Sequence, residues 1–181
     1  LTALGRARDS LPYFERSAAL DVNNPDRLGN LGAAYLLQGR TAEAVTSFEK
    51  AAALTPGSAR FQSDLGTAYL AQNRVDRALP ALKRAVELDP KRASYWTNLS
   101  YAHQLNSDYD RAVAAAEKAT QLDPKLGSAW LNLGTAHAKR RDLDQAESAF
   151  RRALSLDPED PRAKANLEEL AELRRKKTAA P

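Results

Sequence analysis

The chain has 181 residues, of which 43% are hydrophobic and 28% charged, so it can bury a core. No apolar run approaches the roughly 20 residues that a membrane-spanning helix needs, so no membrane association is predicted. The net charge of +4 equals the charge of the run Arg174, Arg175, Lys176 and Lys177, so no basic face for nucleic acid is predicted either.

Four equally spaced prolines reveal an internal repeat of 34 residues: Pro56, Pro90, Pro124 and Pro158. When each proline is numbered as repeat position 32, several columns of leucine or small residues align. They are position 7 (Leu31, Leu65, Leu99, Leu133), position 8 (Gly32, Gly66, Ser100, Gly134), position 20 (Ala44, Ala78, Ala112, Ala146) and position 27 (Ala51, Ala85, Ala119, Ala153). Small residues in such columns allow two helices to approach closely.

These columns resemble the tetratricopeptide repeat (TPR), whose pattern is W-x-x-L-G-x-x-Y, then A-x-x-x-F, then P. The best-matching repeat carries Trp130, Leu133, Gly134, Ala146, Phe150 and Pro158. Apolar residues recur at helical spacing within each repeat, which independently favours two amphipathic helices per repeat. The resemblance implies an all-α fold, an α-solenoid in the form of a right-handed superhelix of helix-turn-helix repeats.

The register divides the chain in order. Residues 1–24 are predicted to be the C-terminal part of a truncated preceding repeat, beginning inside its first helix. Four full repeats are predicted at 25–58, 59–92, 93–126 and 127–160, then a polar capping helix at 161–177 and a tail at 178–181. The truncated repeat would leave Leu11, Phe14 and Leu20 without most of their partner helix. We therefore expect this face to be covered by a second copy of the chain or by residues outside the sequence.

Catalytic and metal-binding sets are not predicted. Cysteine is absent, which excludes disulfides, thiolate metal sites and cysteine nucleophiles. The two histidines, His103 and His137, both fall at position 11, where a two-histidine metal site is one interpretation and packing between helices is the favoured one. No glycine-rich phosphate loop and no serine, histidine and carboxylate set is recognisable. The sequence thus predicts no enzyme activity, no cofactor and no metal.

The resemblance also implies a peptide-binding groove, because the first helices of TPRs line the concave side and positions 2, 5, 6, 9, 12 and 13 face it. The predicted groove residues are Asn30, Ser63, Asp64, Thr67, Leu70, Thr97, Asn98, Tyr101, Gln104, Leu131, Asn132 and Thr135. This surface is polar and mostly uncharged. The residues expected of a chaperone-tail carboxylate clamp are missing apart from Asn98, so chaperone C-termini are not predicted ligands.

Position 6 is rich in asparagine: Asn30, Asp64, Asn98, Asn132 and Asn166. This column resembles the asparagine ladder of the O-GlcNAc transferases, whose amides hold a peptide backbone. The alternative, of equal weight, is that asparagine is common at this position in ordinary repeats. If the ladder binds peptide, changing Asn98 and Asn132 to alanine is expected to weaken binding and leave stability nearly unchanged.

The predicted function is a non-catalytic scaffold that binds an extended peptide or partner protein. The alternative is the substrate-recruiting TPR portion of a larger enzyme, such as an O-GlcNAc-type glycosyltransferase. Methionine is absent even at position 1, so we expect the natural start to be missing and any signal peptide with it. The localisation is left unknown, with the cytoplasm slightly favoured.

Overall fold

The computed structural model describes residues 3–178, and within them the side chains of residues 10–175. This range contains helices and no strand. The helices are α1 (Ala3–Leu20), α2 (Pro25–Leu37), α3 (Thr41–Leu54), α4 (Ala59–Ala71), α5 (Val75–Leu88), α6 (Ala93–Leu105), α7 (Tyr109–Leu122), α8 (Gly127–Arg140), α9 (Leu143–Leu156) and α10 (Pro161–Thr178). The chain is an all-α solenoid of helical repeats, and the predicted fold class is confirmed. Residues 179–181 of the predicted tail lie outside the described residues.

The helix pairs recur in one register. The helices α2, α4 and α6 each occupy repeat positions 1–13, and α3, α5, α7 and α9 each occupy positions 17–30. In the turn between them, position 15 has a positive φ in every full repeat: 73° at Gly39, 57° at Asn73, 58° at Ser107 and 70° at Arg141. This left-handed residue ends the first helix and reverses the chain.

The helix α1 differs from the expected remnant of a repeat. It is continuous from Ala3, so the described residues show no turn between a first and a second helix. Leu11 is buried against Leu31 and Ala34 of α2, with Phe14 partly buried beside them. A second copy of the chain or residues outside the sequence were expected to cover Leu11 and Phe14, but α2 of the same chain already does so. Leu20 alone of the three residues named is widely exposed, at 76%.

The described helices form two compact units, residues 1–90 and residues 91–181, here called the N-terminal and C-terminal units. In each unit a glycine at position 8 faces a large side chain of the second helix of its repeat. A Cβ atom added to Gly66 would lie 2.5 Å from Cγ of Leu82, and one added to Gly134 would lie 2.5 Å from the Phe150 ring. Glycine at this position therefore lets a large residue at position 24 fill the space between the helices.

The last helix, α10, buries one face and exposes the other. Leu170 is buried in a cluster with Phe150, and Leu167 packs against the same cluster. Arg174 forms ion pairs with Asp144 and Glu147 of α9. A polar outer face is what a capping helix needs, and the capping role stays a prediction. None of the described helices is both long and apolar enough to cross a membrane.

Candidate functional site

The first helices of the C-terminal unit, α6 and α8, form a groove that extends to α10. It encloses a cavity of about 460 Å³. The groove is lined by Thr97, Asn98, Tyr101, Gln104, Ser128, Leu131, Asn132, Thr135, Arg162 and Asn166. Seven of the predicted groove residues thus line one cavity. Tyr101 is the most exposed apolar group among them, with 46% of its surface accessible.

Position 5 lies beneath the groove surface in both units. Ser63, Thr97 and Leu131 are all buried. The equivalent Gly29 shows the reason, because a Cβ atom there would lie 2.5 Å from the ring of Phe61 in the next repeat. Position 5 of α2 therefore packs against the following first helix, α4. These side chains therefore offer a ligand little exposed surface, contrary to expectation, although Thr97 and Leu131 still line the cavity.

Asn132 joins neighbouring repeats. Its Nδ2 donates a hydrogen bond of 3.1 Å to the main-chain carbonyl of Thr97, on α6. In return, Nε2 of Gln104 donates to the main-chain carbonyl of Asn132, also at 3.1 Å. The pair links α6 to α8 in both directions. These two bonds support a contribution of Asn132 to stability, in contrast to the expectation that its replacement leaves stability nearly unchanged. Asn98 lines the groove and is half-buried.

The corresponding surface of the N-terminal unit is charged. Arg60 lies 3.2 Å from an Asp26 carboxylate oxygen and 3.7 Å from one of Asp64, and its Nη2 donates to Oδ1 of Asn30 at 3.4 Å. Burial raises the pKa of the Asp64 carboxyl, and the positive charge of Arg60 partly offsets that rise. The expectation of a mostly uncharged groove fails here, because Arg60 and Asp26 at position 2 had not been included.

The other predicted residues of the N-terminal unit are Thr67, which is exposed, and Leu70, which is half-buried. The hydroxyl of Thr67 donates to the main-chain carbonyl of Ser63 at 2.9 Å. The observed pattern at position 6 is therefore an ion-pair network in the N-terminal unit and amide bonding in the C-terminal unit. The two units offer different chemistry to a ligand.

Position 11 carries a paired substitution that the sequence reading missed. Tyr35 and Tyr69 lie under arginines of position 16, with Arg74 Cζ at 5.1 Å from the centre of the Tyr69 ring. His137 instead lies beside an aspartate of position 16, with Nδ1 3.4 Å from Asp142 Oδ2. This pairing of residues could have been predicted by comparing positions 11 and 16 across the repeats.

Both histidines pack between helices as expected. His103 is 4% exposed, and its Nδ1 lies 3.9 Å from Asp108 Oδ2. Within the described part of the chain, no three histidine or carboxylate side chains are grouped so as to hold a metal ion.

Two family models, both described as tetratricopeptide repeat, match the chain. One matches residues 35–100, and the other matches residues 1–59, 106–161 and 131–180. The chain is a tetratricopeptide repeat protein. The models that match are repeat families, and no catalytic family is among them. The search of curated proteins found no match.

Several solved TPR structures are similar to this TPR chain. MamA 41-end from Desulfovibrio magneticus RS-1 shares 25% identity with a TM-score of 0.74, covering 87% of this chain and 89% of that one. TTC0263, a thermophilic TPR protein of Thermus thermophilus, shares 23% with a TM-score of 0.78, covering 93% and 92%. YrrB, a TPR protein with an unusual peptide-binding site, shares 22% with a TM-score of 0.73, covering 92% and 86%. The fold of the TPR array is thus shared along most of the chain.

Proposed function

We propose that this protein is a non-catalytic interaction scaffold that binds an extended peptide in the groove of its C-terminal unit. The observation that carries the proposal is the cavity of about 460 Å³ between α6, α8 and α10, lined mainly by polar side chains. An extended segment in such a groove can satisfy its main-chain groups with amides and hydroxyls. The unusual peptide-binding site of YrrB belongs to that protein, and it supports peptide as the ligand class here.

Tyr101 is the proposed anchor of the site. It stands at position 9 of α6 with nearly half of its surface open, beside the amides of Asn98 and Gln104. A tyrosine offers a large, rigid ring together with a hydroxyl, and such residues often dominate binding energy at interfaces. Two torsion angles are fixed when it binds, so little conformational entropy is lost.

Tyr101→Ala is expected to weaken peptide binding by about tenfold or more, since truncating an interface anchor costs roughly 2 kcal/mol or more. Peptides are first selected from a displayed random library on the wild-type protein, and their affinities are then measured by fluorescence anisotropy. Tyr13→Ala is the matched control, because Tyr13 is 75% exposed on α1 and lies outside the groove. If every selected peptide binds Tyr101→Ala as tightly as wild type, the groove is not the binding site.

The types of side chain in the groove also favour a scaffold over an enzyme, because the described side chains there include no grouping of a nucleophile, a base and a carboxylate. The alternative function, recruitment of substrates to a catalytic domain of a larger protein, uses the same groove. It stays a prediction. Detection of a catalytic domain in the same polypeptide would favour it.

Homo-oligomerisation through the N-terminal end also stays a prediction. Leu20 and Val22, near the end of α1, are exposed apolar side chains, with exposed fractions of 76% and 63%. Burial of these side chains would stabilise a dimer. Sedimentation equilibrium should then show a mass that rises with concentration and falls back to the monomer in Leu20→Arg. A concentration-independent monomer mass for the wild type would contradict it.

A further inference from the structure

The floor of the groove is defined here as Gln104, Asn132 and Thr135. Each of these side chains already donates a hydrogen bond within the protein. The amides of Asn132 and Gln104 donate to main-chain carbonyls, as described above, and Oγ1 of Thr135 donates to the carbonyl of Leu131 at 2.9 Å. A main-chain carbonyl can only accept a hydrogen bond. Each of the three side chains must therefore be the donor, which also fixes which atom of each amide is the nitrogen.

The groups left over on this floor are mainly acceptors. The free amide oxygens are Oδ1 of Asn132 and Oε1 of Gln104, and the Thr135 hydroxyl oxygen keeps a lone pair. The second hydrogen of the Gln104 amide is directed at Oγ of Ser100, at 3.4 Å. One N–H of the Asn132 side-chain amide remains to donate to a ligand. The three residues of the floor therefore keep more acceptors than donors, while the lining amides and hydroxyls of Asn98, Tyr101, Ser128 and Asn166 carry both.

The charged residue that lines the groove, Arg162, is already paired with a carboxylate. Arg162 is held by Asp160 through two bonds, with Nη2 at 2.8 Å from Oδ2 and Nε at 3.2 Å from Oδ1. The Arg162 guanidinium keeps the pKa of the Asp160 carboxyl below its ordinary value, so the partner stays ionised. The pair with Asp160 occupies two of the five N–H groups of the guanidinium and neutralises its charge.

We propose that this groove selects an extended peptide segment that supplies N–H donors, from its main chain and from asparagine or glutamine side chains, and that it disfavours aspartate and glutamate. The inference rests on the proposed function of the groove. A carboxylate placed over the floor would face acceptor oxygens and lose its water without a hydrogen bond in exchange. The groove then distinguishes peptides as much by disfavouring carboxylates as by binding N–H donors.

The composition of selected peptides tests this inference. A displayed library of random 12-residue peptides is panned in parallel on the wild-type protein and on Tyr101→Ala, and the sequences that need Tyr101 are scored. We expect at least a twofold enrichment of asparagine and glutamine over the library and a twofold depletion of aspartate and glutamate. Tyr101-dependent sequences with acidic or unbiased composition would overturn the inference while leaving groove binding intact. Absence of any Tyr101-dependent sequence would overturn the proposed function and the inference with it.

A single acceptor can also be removed without changing the shape of the groove. Thr135→Val is expected to weaken a selected peptide three- to tenfold in anisotropy titrations. The control is Thr46→Val, because Thr46 is exposed on α3 and its hydroxyl donates in the same manner to the Ala42 carbonyl, at 3.1 Å. Equal affinity of wild type and Thr135→Val would overturn the acceptor role. An equal loss of affinity in the Thr46→Val control would also overturn the acceptor role.

Discussion

Gly134→Ser is expected to destabilise the protein by about 1–3 kcal/mol, the usual cost of overpacking a core. The added Cβ atom would lie 2.5 Å from the ring of Phe150, which is 1% exposed and cannot move into solvent. Urea denaturation followed by circular dichroism measures the loss. Gly127→Ala is the control, since no atom lies within 4 Å of a Cβ atom there. That variant should be as stable as wild type or slightly more stable.

The cost of Gly134→Ser should fall when Phe150 is shortened, because the third repeat already contains that combination. Ser100 occupies position 8 and Ala116 occupies position 24, and both are fully buried. Phe150→Ala alone should cost about 3–5 kcal/mol, as large-to-small changes in cores do. The double variant should lose at least about 1 kcal/mol less stability than the sum of the losses of the two single variants. Additive losses would mean that the two positions do not share one space.

Asn132→Ala is expected to lower the free energy of unfolding by about 1–2 kcal/mol and also to weaken peptide binding. The stability loss follows from removing the donor to the Thr97 carbonyl. The binding loss follows from removing an acceptor of the groove floor. Thermal melts and anisotropy titrations give the two readouts separately.

The matched control for Asn132 is Asn30→Ala at the same repeat position. Asn30 is exposed, and its side-chain contact is the long 3.4 Å bond from Arg60. Its replacement should change stability by no more than about 0.5 kcal/mol. Equal stability losses at both positions would show that the bond to α6 is not what distinguishes Asn132.

The register of the helices could be predicted because it depends on residue size, which the sequence displays directly. The glycine column marks contacts within a repeat, as between Gly66 and Leu82. The leucine column also packs against the preceding repeat, as Leu133 does in a cluster with Val113 of α7. Position 15 was harder to predict, since a positive φ falls on Ser107 and Arg141 as well as on Gly39. Closure of the repeat imposes this conformation on residues that do not favour it.

The groove was only partly predictable, because the sequence shows which face a residue is on but not how deeply it lies. Thr97 is on the expected face, yet it is buried. Asn132 was expected to be available to ligands, but the approach of α6 to α8 brings a carbonyl within reach of its amide. Distances between repeats decide both outcomes, and a pattern along a single repeat does not contain them.

The central claim, that the groove of the C-terminal unit binds peptide, is tested most directly by nuclear magnetic resonance. An isotope-labelled wild-type protein is titrated with one selected peptide, and amide shifts are mapped along the chain. The largest shifts are predicted on α6 and α8, at Tyr101 and Thr135 and at the side-chain amides of Gln104 and Asn132. Shifts concentrated on the second helices α7 and α9, or on α1, with α6 and α8 unmoved, would contradict the claim.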